Sequence, residues 1–469
     1  MLSKLISAKT FNPSRMSSEP LTFSAGELMI EDDPYALCID SDLFSTICSY
    51  CIRRQANVCC SKCNWINYCN RDCKKKDKQY HDLECKVLQS CTQSEEIPDQ
   101  EIRLVIRALD RCLQERRSGQ ISVGDYFGHK RTVDDLLNHV DHLTEEERQQ
   151  AEARAAAIYN LVKDHTETSL SEVFVMLQKC RINCHSLVDH NSSQYFSRGR
   201  VVYLGVSKMN HSCEPTDYVQ VFNGRKFNLR AVRDIRVDDP LSLTVHYIPP
   251  TLPVAVRQER LLNNYYFICN CTKCVWQSRH PEEVGVDDDI VNRIEHAFEQ
   301  SHGYDVWYKM GRELLDELKD TPDSNFYVYW LLIQMQWTCA ELKHYEESIE
   351  YGARALDGAE SVLSLEPIYY SMCECMVKLG WNRRRSPQHQ RFLETMKSAK
   401  DLFLLTHGPD HKITRSLDAM QKGGKWWKKY FRLRDGSTKA TGSAGESMVV
   451  NKKHSADGLA SAEPPMVAV

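Results

Sequence analysis

The chain has 469 residues, of which 42% are hydrophobic and 20 are cysteine. A chain of this length can bury ordinary hydrophobic cores, so its cysteines need not form the disulfide framework of a small secreted domain. No apolar run approaches the length of a membrane span. A net charge of −4 argues against a globally basic nucleic-acid binder, although not against a local basic patch. The composition therefore agrees with an intracellular protein.

The N-terminal region is predicted to begin with a flexible tail over residues 1–20. This stretch lacks the compact apolar core and the small-residue cleavage site of a secretory signal. Its basic residues, with no acid before Glu19, leave a mitochondrial transit peptide open as the alternative. Beyond the tail, residues 21–36 alternate around a turn at 24–26 (SAG), a pattern that predicts a small strand pair.

Residues 48–85 carry eight ligands of the kind that bind zinc. Two C-x2-C pairs come first, and two pairs follow in which the ligands are four residues apart. Residues four apart lie on one face of a helix, and a C-x2-C turn directs two thiolates at one ion, so four pairs can form two tetrahedral sites. Thiolate and imidazole at this spacing favour zinc over magnesium or calcium, whereas a disulfide knot or loose thiols would be the plain alternative. The eight ligands are Cys48, Cys51, Cys60, Cys63, Cys69, Cys73, His81 and Cys85.

From residue 101 to about residue 179 the spacing of apolar residues becomes helical. Residues 101–113 place their apolar side chains on a single helical face. These apolar residues are Ile102, Val105, Ile106, Leu109 and Leu113. A second helix is predicted to have Thr144 as its N-cap, ahead of Glu145.

From residue 201 to residue 247 the period shortens to that of β-strands. The segments VVYLGV, DYVQVF, KFNLRAV and SLTVHY are separated by turn residues. Asn223-Gly224, between the second and third segments, is a strong signal for a β-hairpin.

A second group of ligands lies at the end of this β-rich block. The sequence C-x-C-x2-C at 269–274 supplies three thiolates, one fewer than a closed structural zinc site needs. The nearest unassigned cysteine in a polar turn is Cys213, in the sequence NHSC at 210–213. If Cys213 is the fourth ligand, the zinc ion pulls this turn against the cysteine loop and brings Tyr247 and Tyr265 towards one pocket.

The last third of the chain is predicted to be almost entirely helical, from about residue 288 to residue 433. Residues 342–356 resemble one tetratricopeptide-like hairpin, although a plain helical bundle would look almost the same. Residues 422–434 combine six basic residues with four aromatics. This composition suits either a surface that binds nucleic acid, an acidic protein or a membrane, or a last helix with buried aromatics. Residues 434–469 lack periodicity and are predicted to be disordered.

The order of these motifs resembles the SET-and-MYND (SMYD) family of protein lysine methyltransferases. The resemblance rests on the eight-ligand finger, the NHSC turn followed by a proline, the turn at 237–241, and the sequence Y-x-F-x-C-x-C-x2-C at 265–274. It runs from about residue 21 to residue 420. It implies an α+β fold in which a β-rich SET fold is split by a MYND zinc finger insertion and followed by an α-helical, tetratricopeptide-like C-terminal domain.

The resemblance implies the following division of the chain. The parts are the N-terminal part of the split SET domain at 21–47, the MYND-type zinc finger at 48–85, a helical SET insertion at 86–200, the core SET at 201–250, a post-SET zinc region at 251–280, and the tetratricopeptide-like domain at 288–433.

The resemblance also implies roles for individual residues. The two finger sites interleave, with Cys48, Cys51, Cys69 and Cys73 on one zinc ion and Cys60, Cys63, His81 and Cys85 on the other. A third structural zinc ion is held by Cys213, Cys269, Cys271 and Cys274. The catalytic residues that line the lysine channel are Tyr247 and Tyr265. The residues implied to bind the cofactor S-adenosyl-L-methionine are Asn210, His211, Asn183, Phe267 and His139.

The implied activity is S-adenosylmethionine-dependent N-methylation of lysines in histone or non-histone proteins. Methyl transfer needs an uncharged lysine amine, whereas free lysine has a pKa of about 10.4 and arrives protonated. A narrow aromatic channel disfavours the ammonium form, and tyrosine hydroxyls at its inner end can orient the neutral amine. The family also implies a monomeric chromatin regulator of the nucleus and cytoplasm, with a finger that can bind proline-containing peptides.

The alternative is a catalytically weak or inactive SET-MYND adaptor that binds proline-containing peptides and protein partners. Residues 14–20 (SRMSSEP) stand where family members carry a glycine-rich strand next to the cofactor, and they contain no glycine. Side chains there could obstruct the cofactor, which favours the adaptor, whereas Tyr247 with Tyr265 favours the enzyme.

Overall fold

The computed structural model describes residues 20–53, 55–91, 97–188, 197–280, 286, 288–299, 303–359 and 362–422. The predicted N-terminal tail before Pro20 and the glycine-free stretch within it lie outside these residues. The predicted disordered tail and nearly all of the basic and aromatic segment at 422–434 also lie outside them.

The strands lie between residues 21 and 245 and are short. They are β1 (Leu21–Phe23), β2 (Leu28–Asp32), β3 (Ala36–Ile39), β4 (Val58–Cys59), β5 (Asn67–Tyr68), β6 (Gly124–Tyr126), β7 (His129–Arg131), β8 (Cys184–Val188), β9 (Ser197–Val202), β10 (Asn210–His211), β11 (Tyr218–Asn223), β12 (Lys226–Ala231), β13 (Ile235–Val237) and β14 (Thr244–Val245).

Helices flank these strands and make up the C-terminal region. They are α1 (Arg71–Ser90), α2 (Gln100–Ser118), α3 (Glu145–Val162), α4 (Leu170–Asn183), α5 (Val254–Tyr265), α6 (Thr272–Arg279), α7 (Asp288–Glu299), α8 (Tyr304–Glu317), α9 (Phe326–Glu341), α10 (Tyr345–Gly358), α11 (Val362–Lys378), α12 (His389–Thr406) and α13 (Lys412–Lys422). The mixed α and β content and the helical C-terminal region agree with the predicted fold class. Over the part of the chain that the structure covers, no helix is both long and apolar enough to cross a bilayer.

The β-hairpin predicted at Asn223-Gly224 is confirmed. Strands β11 and β12 pair antiparallel, with Asn223 opposite Lys226 at the tip, and Gly224 has a φ of +66°. A side chain at Gly224 would collide with the finger, because a Cβ there would lie 2.6 Å from the carbonyl oxygen of Cys51. Glycine therefore permits both the turn and its close contact with the finger.

The strand pair predicted over residues 21–36 is wrong in its pairing. Both strands form, but β1 pairs with β13 and β2 pairs with β12. An isolated two-stranded hairpin is marginally stable, whereas β12 is largely buried. Each N-terminal strand therefore joins a distant partner in the protein core.

The segment predicted as a helical insertion contains strands as well as helices. Helices α2, α3 and α4 are present, and Thr144 accepts a hydrogen bond from the Glu147 backbone N–H, as an N-cap does. Between α2 and α3, however, β6 and β7 form a small hairpin. Strand β8 follows directly on Asn183, the last residue of α4, and pairs with β9. The limits of the implied domains stay predictions.

The finger shares one hydrophobic core with the strands. Ile66 and Tyr68 of the finger belong to the same buried cluster as Tyr203, Phe227 and Leu229. The C-terminal helices have a separate core of their own. The finger is thus part of the folded body that carries the β-strands.

The ring of His185 is a partly buried titratable group in this body. It lies 5.7 Å from the ring of Tyr203 and 5.8 Å from that of Phe227, centroid to centroid. Burial lowers the pKa of His185 to about 4, below the value of about 6.5 in an unfolded chain. The folded state therefore favours the neutral ring. The part of the unfolding free energy that depends on neutral His185 is fully present above pH 6.5 and is lost as the pH falls towards 4.

Replacing His185 with phenylalanine should reduce the loss of stability in mild acid. Between about pH 7.5 and about pH 5, the wild type should lose about 2 kcal/mol more unfolding free energy than His185→Phe. Urea unfolding of both proteins at the two pH values measures this difference, and acid effects on other groups cancel between them. Equal losses would show that the ring does not stay neutral in the fold.

Candidate functional site

The first group of zinc-type ligands joins the start of the finger to helix α1. The sulfur atoms of Cys51 and Cys69 are 3.8 Å apart, and those of Cys69 and Cys73 are 3.5 Å apart. The Asn70 side chain caps α1 by accepting the backbone N–H of Cys73, which orients the first turn of the helix. The four members of the group are Cys48, Cys51, Cys69 and Cys73.

The second group takes two of its members from further along the same helix and is buried. Sγ of Cys60 is 3.8 Å from Sγ of Cys85, and Sγ of Cys63 is 3.5 Å from Nε2 of His81. Its four members are Cys60, Cys63, His81 and Cys85. Helix α1 therefore supplies ligands to both finger groups, and the two groups interleave along the chain as the family resemblance implies.

Tetrahedral zinc fits these donor sets. All ligand atoms of a group lie within 4.8 Å of one another. A zinc–thiolate bond of about 2.3 Å in a tetrahedron places two sulfur atoms about 3.8 Å apart, close to the separations in the structure. Four protein ligands leave no open coordination position, so such ions would stabilise the fold and take no part in chemistry.

A buried charge network lies behind the His81 ligand. Nδ1 of His81 is 2.7 Å from Oε2 of Glu84, and Glu84 also accepts a hydrogen bond of 2.8 Å from Nε of Arg107. Arg107 contacts Asp77 at 3.2 Å, and Asp77 accepts a hydrogen bond from the Tyr68 hydroxyl at 2.9 Å. A carboxylate on the outer nitrogen of a ligating histidine fixes the ring for metal binding.

The charge balance of this network explains how it is tolerated in the interior. Burial alone would raise the pKa of Glu84, but Arg107, His81 and Arg103 together outweigh burial and hold the pKa at about 2. Arg107 also donates to the Leu37 carbonyl oxygen at 3.1 Å. The second finger group is thereby connected through α2 to strand β3. Sequence reasoning missed this network, and the only signal for it was charge on otherwise apolar helix faces.

The third group confirms the predicted association of the NHSC turn with the cysteine loop. Sγ of Cys213 lies 3.6 Å from Sγ of Cys274. The group consists of Cys213, Cys269, Cys271 and Cys274. The fully buried Arg257 places Nη2 3.4 Å from Sγ of Cys274. Four thiolates around a divalent cation carry net negative charge, and Arg257 partly offsets it.

His211 connects this third group to the predicted catalytic residue Tyr247. Nδ1 of His211 accepts the backbone N–H of Tyr247 at 3.0 Å, so the ring proton lies on Nε2. Nε2 is 3.1 Å from Sγ of Cys213 and can donate to that thiolate. Burial first, and nearby His246 second, lower the pKa of His211 to about 4, so the ring is neutral at physiological pH.

The predicted aromatic residues form one cluster. The ring centroids of Tyr247 and Tyr265 are 4.8 Å apart. Phe267 lies 6.0 Å from His211 and 6.5 Å from Tyr247. The Tyr247 hydroxyl donates to the Met209 carbonyl oxygen at 2.7 Å. Tyr247 and Tyr265 are therefore brought together as predicted, and Phe267 and His211 lie beside them. These four residues are called the Tyr247 cluster below.

Asn210 lies on the exposed side of the NHSC turn. It is in β10, which runs parallel to β14 and places Asn210 opposite Thr244. Its side chain is exposed to solvent. It is thus free to contact a small molecule at the surface of the turn.

Asn183 and His139 lie outside the NHSC turn. Asn183 is the last residue of α4, and His139 is in the loop between β7 and α3. The Asn183 amide donates to the carbonyl oxygens of Leu137 and Lys179, at 2.7 and 2.8 Å. His139 has a left-handed backbone, and its ring lies 5.8 Å from that of Tyr266. Tyr266 directly follows Tyr265, which brings His139 to the border of the Tyr247 cluster. Asn183 supports the loop that carries His139.

Arg131 is a candidate site residue that sequence reasoning missed. It is 8% exposed, and its Nε has no hydrogen-bond partner within the described ranges. Its Nη2 donates to the Asp135 carbonyl oxygen at 2.7 Å. Burial raises the pKa of Tyr247 to about 12, while the positive charge of Arg131 acts in the opposite direction. A buried cation with an unused donor beside the Tyr247 cluster is suited to an anionic ligand group.

The fold and these three ligand groups define a zinc-binding α+β protein with a helical C-terminal region. No family model matches the chain. The chain is 23% identical over 410 residues to histone-lysine N-methyltransferase SMYD3 of Homo sapiens, which covers 84% of this chain and 91% of that protein. It is 23% identical over 416 residues to N-lysine methyltransferase SMYD2-B of Danio rerio, covering 84% and 92%. It is 25% identical over 436 residues to histone-lysine N-methyltransferase Smyd1 of Mus musculus, covering 85% of each.

These similarities confirm the family resemblance predicted from the motifs. Over most of its length the chain is similar to SMYD lysine methyltransferases, and its first two ligand groups fit a MYND finger.

Proposed function

We propose that this protein is an S-adenosylmethionine-dependent protein-lysine N-methyltransferase acting on histone or non-histone proteins, with a SET fold split by its MYND finger. The observation that carries the proposal is the ring pair of Tyr247 and Tyr265, 4.8 Å apart and held beside His211 by the third ligand group. Relatives whose names state histone-lysine or N-lysine methyltransferase activity support the same reaction.

The Tyr247 cluster has the properties that a lysine amine needs. Aromatic walls disfavour the charged ammonium form, which lowers the pKa of an entering lysine. The pKa of Tyr247 is raised to about 12, so its phenol stays neutral. It therefore provides no negative charge that would stabilise the ammonium form of the substrate lysine. The hydroxyl of Tyr247 is fixed by its bond to Met209, which holds the ring in place. Alignment of the amine would then supply much of the rate acceleration.

The residues present fit the cofactor that this reaction requires. S-adenosylmethionine would supply an electrophilic methyl group. Asn210 and His211 are on the NHSC turn, and Phe267 offers an aromatic surface beside it. The unpartnered Nε of Arg131 is suited to the carboxylate of the methionine portion. Asn183 would act indirectly through the loop of His139, because its amide hydrogens are taken by backbone carbonyls.

A catalytically weak or inactive adaptor is the second candidate. It is favoured by the absence of glycine from residues 14–20, where side chains could restrict access for a cofactor. In that case the finger and the C-terminal helices would bind protein partners, including proline-containing peptides.

The Tyr247→Phe variant tests the proposed reaction. It retains the ring and removes the hydroxyl, so turnover should fall by at least about tenfold, equal to roughly 1.4 kcal/mol in the barrier, while cofactor affinity stays nearly unchanged. The measurement is methyl transfer from labelled S-adenosylmethionine to a histone mixture and to cell extract, with binding followed by calorimetry.

Tyr126→Phe is the matched control for this experiment. Tyr126 also donates to a backbone carbonyl, that of Pro240 at 2.7 Å, but it lies outside the Tyr247 cluster. Loss of the Tyr126 hydroxyl should leave turnover within about twofold of the wild type. If the wild type neither transfers methyl groups nor binds S-adenosylmethionine at millimolar concentration, the result would contradict the enzyme proposal and favour the adaptor.

The remaining expectations are proposals of the same kind. We propose that the protein acts as a monomeric chromatin regulator in the nucleus and cytoplasm. Size-exclusion chromatography with light scattering tests the monomer, and imaging of the tagged protein tests its location.

A further inference from the structure

A cavity separate from the Tyr247 cluster lies where the finger meets α2 and the strands. Its volume is about 360 Å³, and none of the residues that line it belongs to the Tyr247 cluster or to a zinc-ligand group. The finger contributes Tyr50 and, from its helix α1, Tyr80, while α2 contributes Arg111 and β11–β12 contributes Arg225. Three structural units are therefore needed to build it.

The wall of the cavity is a ladder of alternating tyrosine rings and guanidinium groups. Arg225 lies 4.3 Å from the ring centroid of Tyr50 and 5.4 Å from that of Tyr80. Arg111 lies 5.1 Å from Tyr80 and 4.6 Å from Tyr35. Such cation–π contacts hold both guanidinium planes in fixed orientations. A planar, fixed guanidinium is prepared to bind a carboxylate through two hydrogen bonds.

Only one of the two guanidinium groups is available to a ligand. Arg111 donates to the carbonyl oxygens of Pro34 and Tyr35 and to the Ser122 hydroxyl. Arg225, by contrast, makes no guanidinium hydrogen bond to another described residue, and its Nε is buried without a partner. Its only ion pair there is with Asp33 at 3.9 Å, too long for a hydrogen bond.

Asp33 can release Arg225 at little cost. The Asp33 side chain is 63% exposed and also lies 3.6 Å from Nζ of Lys226. An incoming carboxylate could therefore take Arg225 while Asp33 keeps Lys226 as its partner. Of the other charged groups of the wall, Arg111 is already paired with Glu115 at 3.2 Å, and the Asp32 carboxylate accepts the backbone N–H of Val206 at 3.0 Å. A single negative charge thus suits the cavity better than the two of a phosphate monoester.

Apolar groups stand beside this arginine. Pro34 and Leu204 line the cavity, and Val123 at its edge is 55% exposed. Ile121, two residues earlier, is 60% exposed. An aliphatic side chain next to the bound carboxylate would cover this apolar surface.

We propose that this cavity is a docking site for an acidic peptide segment of a partner protein, with a carboxylate side chain on Arg225 and a neighbouring aliphatic side chain against Val123. The site is independent of the proposed methyl transfer. The bound peptide would lie at the junction of the finger and the strands. There it would contact neither the Tyr247 cluster nor the zinc ligands.

A pair of synthetic peptides tests the proposal on the full chain. The probes are the acetylated and amidated tripeptide Leu-Glu-Leu and its counterpart with Gln in place of Glu, titrated calorimetrically up to about 5 mM without S-adenosylmethionine. The Glu peptide should bind, and the Gln peptide should bind at least about tenfold more weakly. Equal affinities, or no binding of the Glu peptide, would overturn the proposal. Either result leaves the methyl transfer assay unaffected.

Two variants and a control locate the binding. Arg225→Lys keeps the charge but loses the planar fork, so affinity for the Glu peptide should fall by about tenfold. Asp33→Asn removes the competing carboxylate and should tighten binding by about threefold, a gain that misfolding cannot imitate. Arg236→Gln changes an arginine that is 66% exposed and pairs with Asp238, and affinity should not change. An unchanged or weaker affinity of Asp33→Asn would count against Arg225 as the binding group.

Discussion

Replacing Arg107 with methionine should destabilise the protein by about 3–5 kcal/mol, because the change leaves buried Asp77 without its cation and Glu84 with only the more distant Arg103, at 3.8 Å. Glu84 is 0% and Asp77 2% exposed, and both contact Arg107. Methionine retains much of the length and volume of arginine, so the loss of charge dominates over the loss of packing. The measurement is urea unfolding at neutral pH, with zinc content determined by elemental analysis of the folded protein.

The Arg107→Met change should also weaken zinc binding. Glu84 fixes the ring of His81, and the Arg103 guanidinium, 3.8 Å from Glu84, competes for this carboxylate once Arg107 is gone. We expect weaker retention of one zinc ion against a chelator, since loss of outer partners of metal ligands typically costs about 10–100-fold in metal affinity.

Arg116→Met on the same helix is the matched control. Its side chain is 55% exposed and pairs with a partly exposed Glu172 at 2.5 Å. Exposed ion pairs contribute about 0–1 kcal/mol, so this variant should unfold close to the wild type and retain its zinc. Similar losses in the two variants would show that Arg107 contributes no more than a surface charge.

The second large effect is expected for Cys213→Ser, which should remove one of three bound zinc ions together with cofactor binding. Serine is a poor zinc ligand beside thiolate, so the third group would lose its closed set of four. Cys213 also accepts from His211, whose other nitrogen holds the backbone of Tyr247. Loss of the zinc ion should therefore release the NHSC turn and the strand end that carries Tyr247.

Elemental analysis and calorimetry with S-adenosylmethionine measure the two losses separately. Wild type should contain three zinc ions and Cys213→Ser two. Cys339→Ser is the control, because Cys339 is fully buried in α9 and belongs to none of the ligand groups. Its zinc content should stay at three. Normal cofactor affinity in a Cys213→Ser protein with two zinc ions would show that the turn does not depend on the metal.

Local spacing made the zinc ligands predictable. Cys73, His81 and Cys85 share one helix, so helical geometry alone indicates which of their side chains face the same way. The hairpin at Gly224 was predictable for the same reason, because a two-residue turn determines its own register.

Contacts between distant segments were not predictable from one sequence. The pairing of β1 with β13, and of Arg107 with Glu84, depends on how separate elements pack in three dimensions. The amide of Asn183 illustrates the same limit at the site. The motif indicated a cofactor contact, whereas packing of α4 directs the amide to two backbone carbonyls.

The pairing of the first strand with one of the last has a consequence for synthesis on the ribosome. Leu21 is opposite Val237, so roughly 200 residues must be added before β1 can pair. At about 5–20 residues per second, the N-terminal strands wait about 10–40 s for their partners. The finger, whose ligands all lie within residues 48–85, can bind metal during that interval. Zinc supply during translation would then decide whether a nascent chain holds a folded finger or a longer unfolded segment that chaperones must protect.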